Sequence, residues 1–156
     1  MSAGDPASPH PALARNTGYL LSRLGTLGQR HFAQRIGQLG LTPRMWGALN
    51  VLDAEGGLTQ HALGVCVGMD PSSMVATIDE LETKGLVERR RHPNDRRAYA
   101  LAVTDAGRET LAAGRLVARQ AQDELLGPLH PDERAQLHAL LLRVAENALG
   151  PRAIGD

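Results

Sequence analysis

The chain has 156 residues, of which 42% are hydrophobic and only 3% aromatic, with 17 basic and 17 acidic side chains. That length suits one domain with a real core rather than two, and a core so poor in aromatics must be built of Leu, Val and Ala, which pack well between helices. No apolar run approaches the ~18 residues of a membrane span, and zero net charge excludes indiscriminate coating of nucleic acid while allowing a local basic patch.

Residues 1–12 are expected to form a disordered tail: Met1 to Pro11 carries Ser, Gly, Asp and three prolines, with neither the basic nor the apolar segment of a secretory signal. From Leu13 to about Leu39, the residues Leu20, Leu24, Leu27, Phe32, Ile36 and Leu39 recur at spacings of three to five, which predicts one long helix despite Gly25, Gly28 and Gly37. Thr42 and Pro43 start a second helix, as N-cap and first helical residue, carrying Met45, Trp46, Leu49 and Leu52 to a stop at Gly56-Gly57. Thr59 caps a short helix from Gln60 to Val67, and Gly68-Met69 make a turn. Asp70 and Pro71 open a longer helix that ends at Lys84-Gly85. Met74, Thr77, Ile78 and Leu81 share its core face, leaving Ser72, Ser73, Val75, Ala76 and Asp79 outside.

Val87 and, across a polar tip, Tyr99, Leu101 and Val103 predict two strands with one buried face, joined through the turn residues Pro93-Asn94-Asp95. Thr104-Asp105 then cap a helix through Leu111, Leu116, Val117 and Leu125, which Gly127-Pro128 break. Pro131 begins a last helix with Leu137, Leu140, Leu141 and Val144, and residues 150–156 are a tail. The result is a mainly α domain over residues 13–149. Within about 42–103, the short helix, turn and longer helix form a helix-turn-helix and the hairpin is its wing.

The wing carries the charge. Between Lys84 and Arg97 six Lys/Arg face only Glu88 and Asp95, a local net of 6 − 2 = +4 on a neutral chain. Double-stranded DNA is the partner such a hairpin fits. Strand alternation forbids all of Arg89, Arg90 and Arg91 from facing one partner, so Arg89 and Arg91, with Arg96, are the expected phosphate contacts. Pro71, Ser72, Ser73, Val75 and Ala76 are the residues placed to meet bases at the start of the longer helix. That helix has no basic residue in its first three turns, so more of the reading falls to the wing and to DNA shape.

Cys66, the single cysteine, excludes an internal disulfide, fits a reducing cytoplasm and reads as a small buried residue among Leu63, Val65 and Val67. The six histidines show no metal spacing, and no triad, phosphate loop or paired carboxylates appear. Neither metal, cofactor nor catalysis is expected.

In Leu81-Glu82-Thr83-Lys84-Gly85-Leu86-Val87-Glu88-Arg89, then Asp95-Arg96-Arg97, then Val103-Thr104-Asp105-Ala106-Gly107, the chain resembles the MarR family of winged helix-turn-helix transcription regulators. The likeness spans about residues 13–149. It implies that Arg97 at the wing tip enters the minor groove and that Asp95 holds it. It implies a homodimer built from helices about 13–39 and 104–149, pseudo-palindromic DNA, and repression relieved by a small phenolic or aromatic effector. The implied pocket lies between the first, second and fifth helices, with His31, Phe32, Arg35, Arg44, Met45 and Trp46 as its candidates. Family members often carry Arg where this chain has Pro71 or Ala76. The rival reading is a module of the same fold, binding a ligand or a protein, that has lost specific DNA binding.

Overall fold

A computed structural model describes residues 8–91 and 99–150. The long first helix expected from Leu13 is interrupted. A single turn, α1 (Pro11–Ala14), precedes α2 (Thr17–Ile36), because the Asn16 side chain accepts the Tyr19 N–H at 3.0 Å and starts a new helix. A 3-10 turn at Gly37–Leu39 closes α2, and Gly40 takes a left-handed φ of 69°.

The predicted caps are in place. Thr42 accepts the Met45 N–H at the start of α3 (Pro43–Glu55), and Thr59 accepts the Ala62 N–H at the start of α4 (Gln60–Val67). Asp70 accepts the Ser73 N–H at 2.9 Å at the start of α5 (Pro71–Thr83). Each supplies an acceptor to a first-turn amide that would otherwise have none. The Ser72 hydroxyl and Ser73 hold the Asp70 carboxyl well below the usual carboxylate range, so the cap stays ionised.

Strand β1 (Val87–Arg91) pairs antiparallel with β2 (Tyr99–Val103), Val87 opposite Val103 and Arg91 opposite Tyr99. Leu101 and Val103 are buried as alternation requires, but Tyr99 is 58% exposed and Ala100 is buried. The other edge of β2 explains this: Leu58 O accepts the Leu101 N–H at 2.8 Å, so the strand's middle is enclosed and only its outer end reaches solvent. The core gathers Ile36, Met45, Leu49, Leu63, Met74, Ile78, Leu81, Leu101 and Leu111 around the helix-turn-helix. Cys66, expected in that core, is half-buried instead.

Two helices complete the chain, α6 (Asp105–Leu125) and α7 (Pro131–Leu149). Arg115 bonds Asp53 of α3 at 2.8 Å, and Arg35 of α2 bonds both oxygens of Glu124 at 2.6 and 2.5 Å, so α6 is tied to both halves. At the start of α7, Glu133 accepts the His130 N–H at 2.8 Å. Helix α7 buries no residue, and its Leu140, Leu141, Leu142, Val144 and Leu149 are exposed. None of the described helices is long and apolar enough to cross a membrane, and no metal-ligand cluster occurs among the described residues.

Candidate nucleic-acid interface and effector hollow

Helix α5 is anchored by Met74, Thr77, Ile78 and Leu81, all buried, which turns the opposite face outward. Pro71, Ser72, Val75 and Ala76 are exposed on that face, while Ser73 is half-buried at its border. The Ser72 hydroxyl already donates to Asp70 at 2.6 Å, so it offers a partner its acceptor side. Val75 is 42% exposed, an apolar surface suited to a thymine methyl.

The wing arginines divide by their partners. Arg89 donates to Asp79 of α5 at 3.0 Å, to Gln60 of α4 at 3.2 Å and also to Glu82 of α5. It therefore braces the root of the wing against both helices of the helix-turn-helix. Arg90 bonds Glu88 through Nε at 2.7 Å, and Arg91, at the outer end of β1, is exposed. Asp95, Arg96 and Arg97 lie outside the described residues.

These partners make a testable distinction. Arg91→Ala is expected to lower the slope of log affinity against log salt by about 0.9, the release of counterions for one phosphate. Arg89→Ala is expected to leave that slope within about 0.3 and to speed amide exchange in β1. Equal slope losses in the two variants would refute the brace.

The six effector candidates do not share one pocket. Phe32 and Trp46 meet edge-to-face, with ring centroids 5.0 Å apart, and line an apolar hollow of about 390 Å3 with Leu125, Leu126, Leu137 and Leu141. Gln122, Arg134 and His138 supply its polar rim. His31 and Arg35 open into a different, polar hollow beside Glu124, while Arg44 and Met45 border a cleft toward α5. Met45, 1% exposed, is a core residue. Helical geometry accounts for the split: at ~100° per residue, Arg44 and Trp46 point to opposite sides of α3, and so do neighbours His31 and Phe32 to different faces of α2. The expected fifth helix, α6, lines the hollow through Ala118, Ala121, Gln122 and Leu125, residues the sequence reading did not assign to it, and the wall that reading missed altogether is α7. Its only signal was a surplus of leucines beyond what the core uses.

Trp46 Nε1 is buried and has no hydrogen-bond partner among the described residues. It lies so close to Gly114 of α6 that a Cβ there would come within 2.8 Å of it. An indole N–H left unpaired costs on the order of 1–3 kcal/mol, so this contact is held by the packing around it.

A recognition helix with an exposed outer face, seated beside a two-stranded wing with a basic arm, defines a winged helix-turn-helix DNA-binding protein. A sequence model of the MarR family matches residues 39–98. A protein of Thauera aromatica described as a transcriptional regulatory protein for the hcr operon is 39% identical over 137 residues, covering 86% of this chain and 82% of that protein. The chain belongs to the MarR family of transcriptional regulators. Among solved structures, the transcriptional repressor CouR bound to a 23-mer DNA duplex is similar at TM-score 0.78 and 33% identity, over 89% of this chain and 99% of that one. CouR from Rhodococcus jostii RHA1 bound to p-coumaroyl-CoA matches at TM-score 0.75 and 28% identity, over 87% and 96%.

Proposed function

We propose that this regulator is a homodimeric repressor that releases pseudo-palindromic operator DNA when a small aromatic effector binds. The observation that carries the reading is α7: a helix of 19 residues with none buried. A helix this apolar is stable only when its face is covered, because propensity alone holds short helices marginally in water. Leu21 and Leu24 on α2 and Leu116 on α6 are exposed as well, so each of α2, α6 and α7 presents apolar side chains that a second copy can cover. Pairing through them sets two α5 helices side by side, suited to half-sites one helical turn, ~34–36 Å, apart.

The outer face of α5 and the exposed end of β1 suit the roles assigned from the sequence to Pro71, Ser72, Ser73, Val75 and Ala76 toward the major groove and to Arg91 on a phosphate. Arg96 on a phosphate and Arg97, held by Asp95, in the minor groove rest on the sequence alone, as these residues lie outside the described ones. The apolar hollow at Phe32 and Trp46 takes the aromatic effector. One CouR neighbour holds DNA and the other an aromatic thioester, which supports both roles in one fold. The protein works in the cytoplasm, where its DNA is.

The test is fluorescence anisotropy on the DNA upstream of the protein's own gene, across salt concentrations. Specific binding is expected, and Arg97→Ala should weaken it by about 1–3 kcal/mol and flatten the salt dependence. Unchanged affinity at matched salt overturns the wing assignment. The rival, a module without specific DNA binding, draws on the acidic partners Asp79, Glu82 and Glu88 that occupy Arg89 and Arg90. It predicts equal affinity for upstream and scrambled DNA.

A further inference from the structure

One more hollow, of about 420 Å3, lies in the crook between α4 and α5. Its lining is apolar apart from Gln60 and His61 in the first turn of α4, and the Gln60 amide oxygen already accepts from Arg89 at 3.2 Å. Val65 of α4 and Val75 of α5 both border it, and they are 49% and 42% exposed. A single exposed valine is ordinary on a protein surface, but two from different helices at one hollow form a patch. The tight turn between the helices makes the crook. Met69 N–H donates to Gly64 O at 2.9 Å, and a Cβ at Gly64 would stand 3.3 Å from Met69 O. Glycine there leaves this wall without a side chain.

The crook is continuous with the base-facing surface, since the exposed Pro71 and Val75 belong to both. Hydrogen-bonding means are few there: the first three turns of α5 hold no basic residue, and the Ser72 hydroxyl is committed to Asp70. What this surface offers the major groove is chiefly hydrocarbon. Among base edges in that groove, thymine alone presents a hydrocarbon group, its C5-methyl. We propose that the α4–α5 crook reads thymine methyl groups, with Val65 and Val75 as the specificity-determining contacts; the proposal deepens the base-facing role given to α5 above. It adds a residue of α4, Val65, that the sequence did not assign to DNA. Burying one methyl carbon against the valines is worth about 4-fold in affinity. A cytosine in the same place lacks the methyl and turns an amino donor toward side chains that cannot accept it, so the contact both attracts thymine and rejects cytosine.

The experiment is fluorescence anisotropy on one upstream duplex made with thymidine and again with deoxyuridine, which removes the methyl groups and keeps every hydrogen-bonding group and charge of the groove. The full chain is expected to bind the thymidine duplex at least ~10-fold more tightly, and Val65→Ala/Val75→Ala to shrink that ratio below ~3-fold. Both side chains are on the surface, so thermal unfolding close to that of the wild type shows that the variant is folded; if it is not, the single variant Val75→Thr, of the same shape, gives the same comparison. A ratio near one in the full chain overturns the proposal. A ratio that survives in the variants overturns it too, because the methyl groups then act through DNA shape alone. Equal binding of upstream and scrambled duplexes instead sinks the repressor reading, while a thymidine preference on both leaves the methyl contact standing.

Discussion

Replacing Leu140 and Val144 together by aspartate is expected to convert the protein to a monomer and to cost about two to four orders of magnitude in operator affinity. Both side chains are about half exposed in the single chain, at 49% and 58%, and lie one turn apart on α7. In a chain that works alone, such surface changes would fall within about 0.5 kcal/mol of neutral. In a symmetric dimer the same four carboxylates enter an apolar seam, where an unpaired buried charge costs several kcal/mol. Homodimer seams of this kind bury about 2,000 Å2 or more. Loss of the partner head then removes an intramolecular second contact whose effective concentration is about millimolar, which sets the fall in affinity. Size-exclusion chromatography with light scattering and anisotropy on one operator fragment check both halves. A variant that stays dimeric, with affinity within twofold of wild type, contradicts the role given to α7.

Much of this architecture is legible because the chain marks its helix starts with local chemistry. Thr42, Thr59, Asp70 and Thr104 each sit before an apolar period, and each accepts the expected first-turn amide. A cap needs only residues within one turn, so sequence suffices. The break at Asn16 was hidden by leucine spacing that runs through it, although Asn is itself a capping residue. The enclosure of β2 was hidden too, since it depends on Leu58, 43 residues before Leu101 in the chain (101 − 58). Arg89 is the sharpest case. Alternation along β1 showed that not every arginine of the triplet could face DNA, yet its partners Gln60, Asp79 and Glu82 lie on two other helices. Charge count sees the cation and not what occupies it.

The apolar hollow at Phe32 and Trp46 shows the same division between local and long-range information. Trp46 and Phe32 stand out as the only residues of their kinds, and the structure brings their rings together. What decides the pocket is how closely α6 approaches them, and that depends on Gly114, whose lack of a side chain admits the indole and Ile36. Through this contact and the Arg115–Asp53 bond, α6 touches the wall of the apolar hollow and the helix-turn-helix at once. A change at the hollow can therefore reach α3, and through it the DNA-facing half.

The same helix begins at a tighter contact, and Gly107→Ala should test it with a loss of about 2–4 kcal/mol. A Cβ at Gly107 would stand 2.1 Å from Leu86 O and 2.7 Å from Val103 Cγ1. Neither neighbour is free to retreat. Leu86 O accepts the Thr104 N–H at 3.1 Å, Leu86 N–H donates to Leu81 O at 2.9 Å, and Thr104 donates its hydroxyl to Gly85 O at 2.7 Å. The first turn of α6 is thus fastened to the corner between recognition helix and wing, and a methyl group there pushes it away from Leu86 and loosens Leu111 behind it. Helix propensity alone argues the reverse, since Ala in a helix interior is favoured over Gly by about 1 kcal/mol. Gly47→Ala in α3 isolates that term, because a Cβ there meets nothing within 4 Å. The pair should move in opposite directions in thermal unfolding at matched protein concentration, Gly107→Ala down by roughly 5–15 °C and Gly47→Ala level or slightly up. If both rise together, the close approach of α6 to the wing corner is not what the glycine serves.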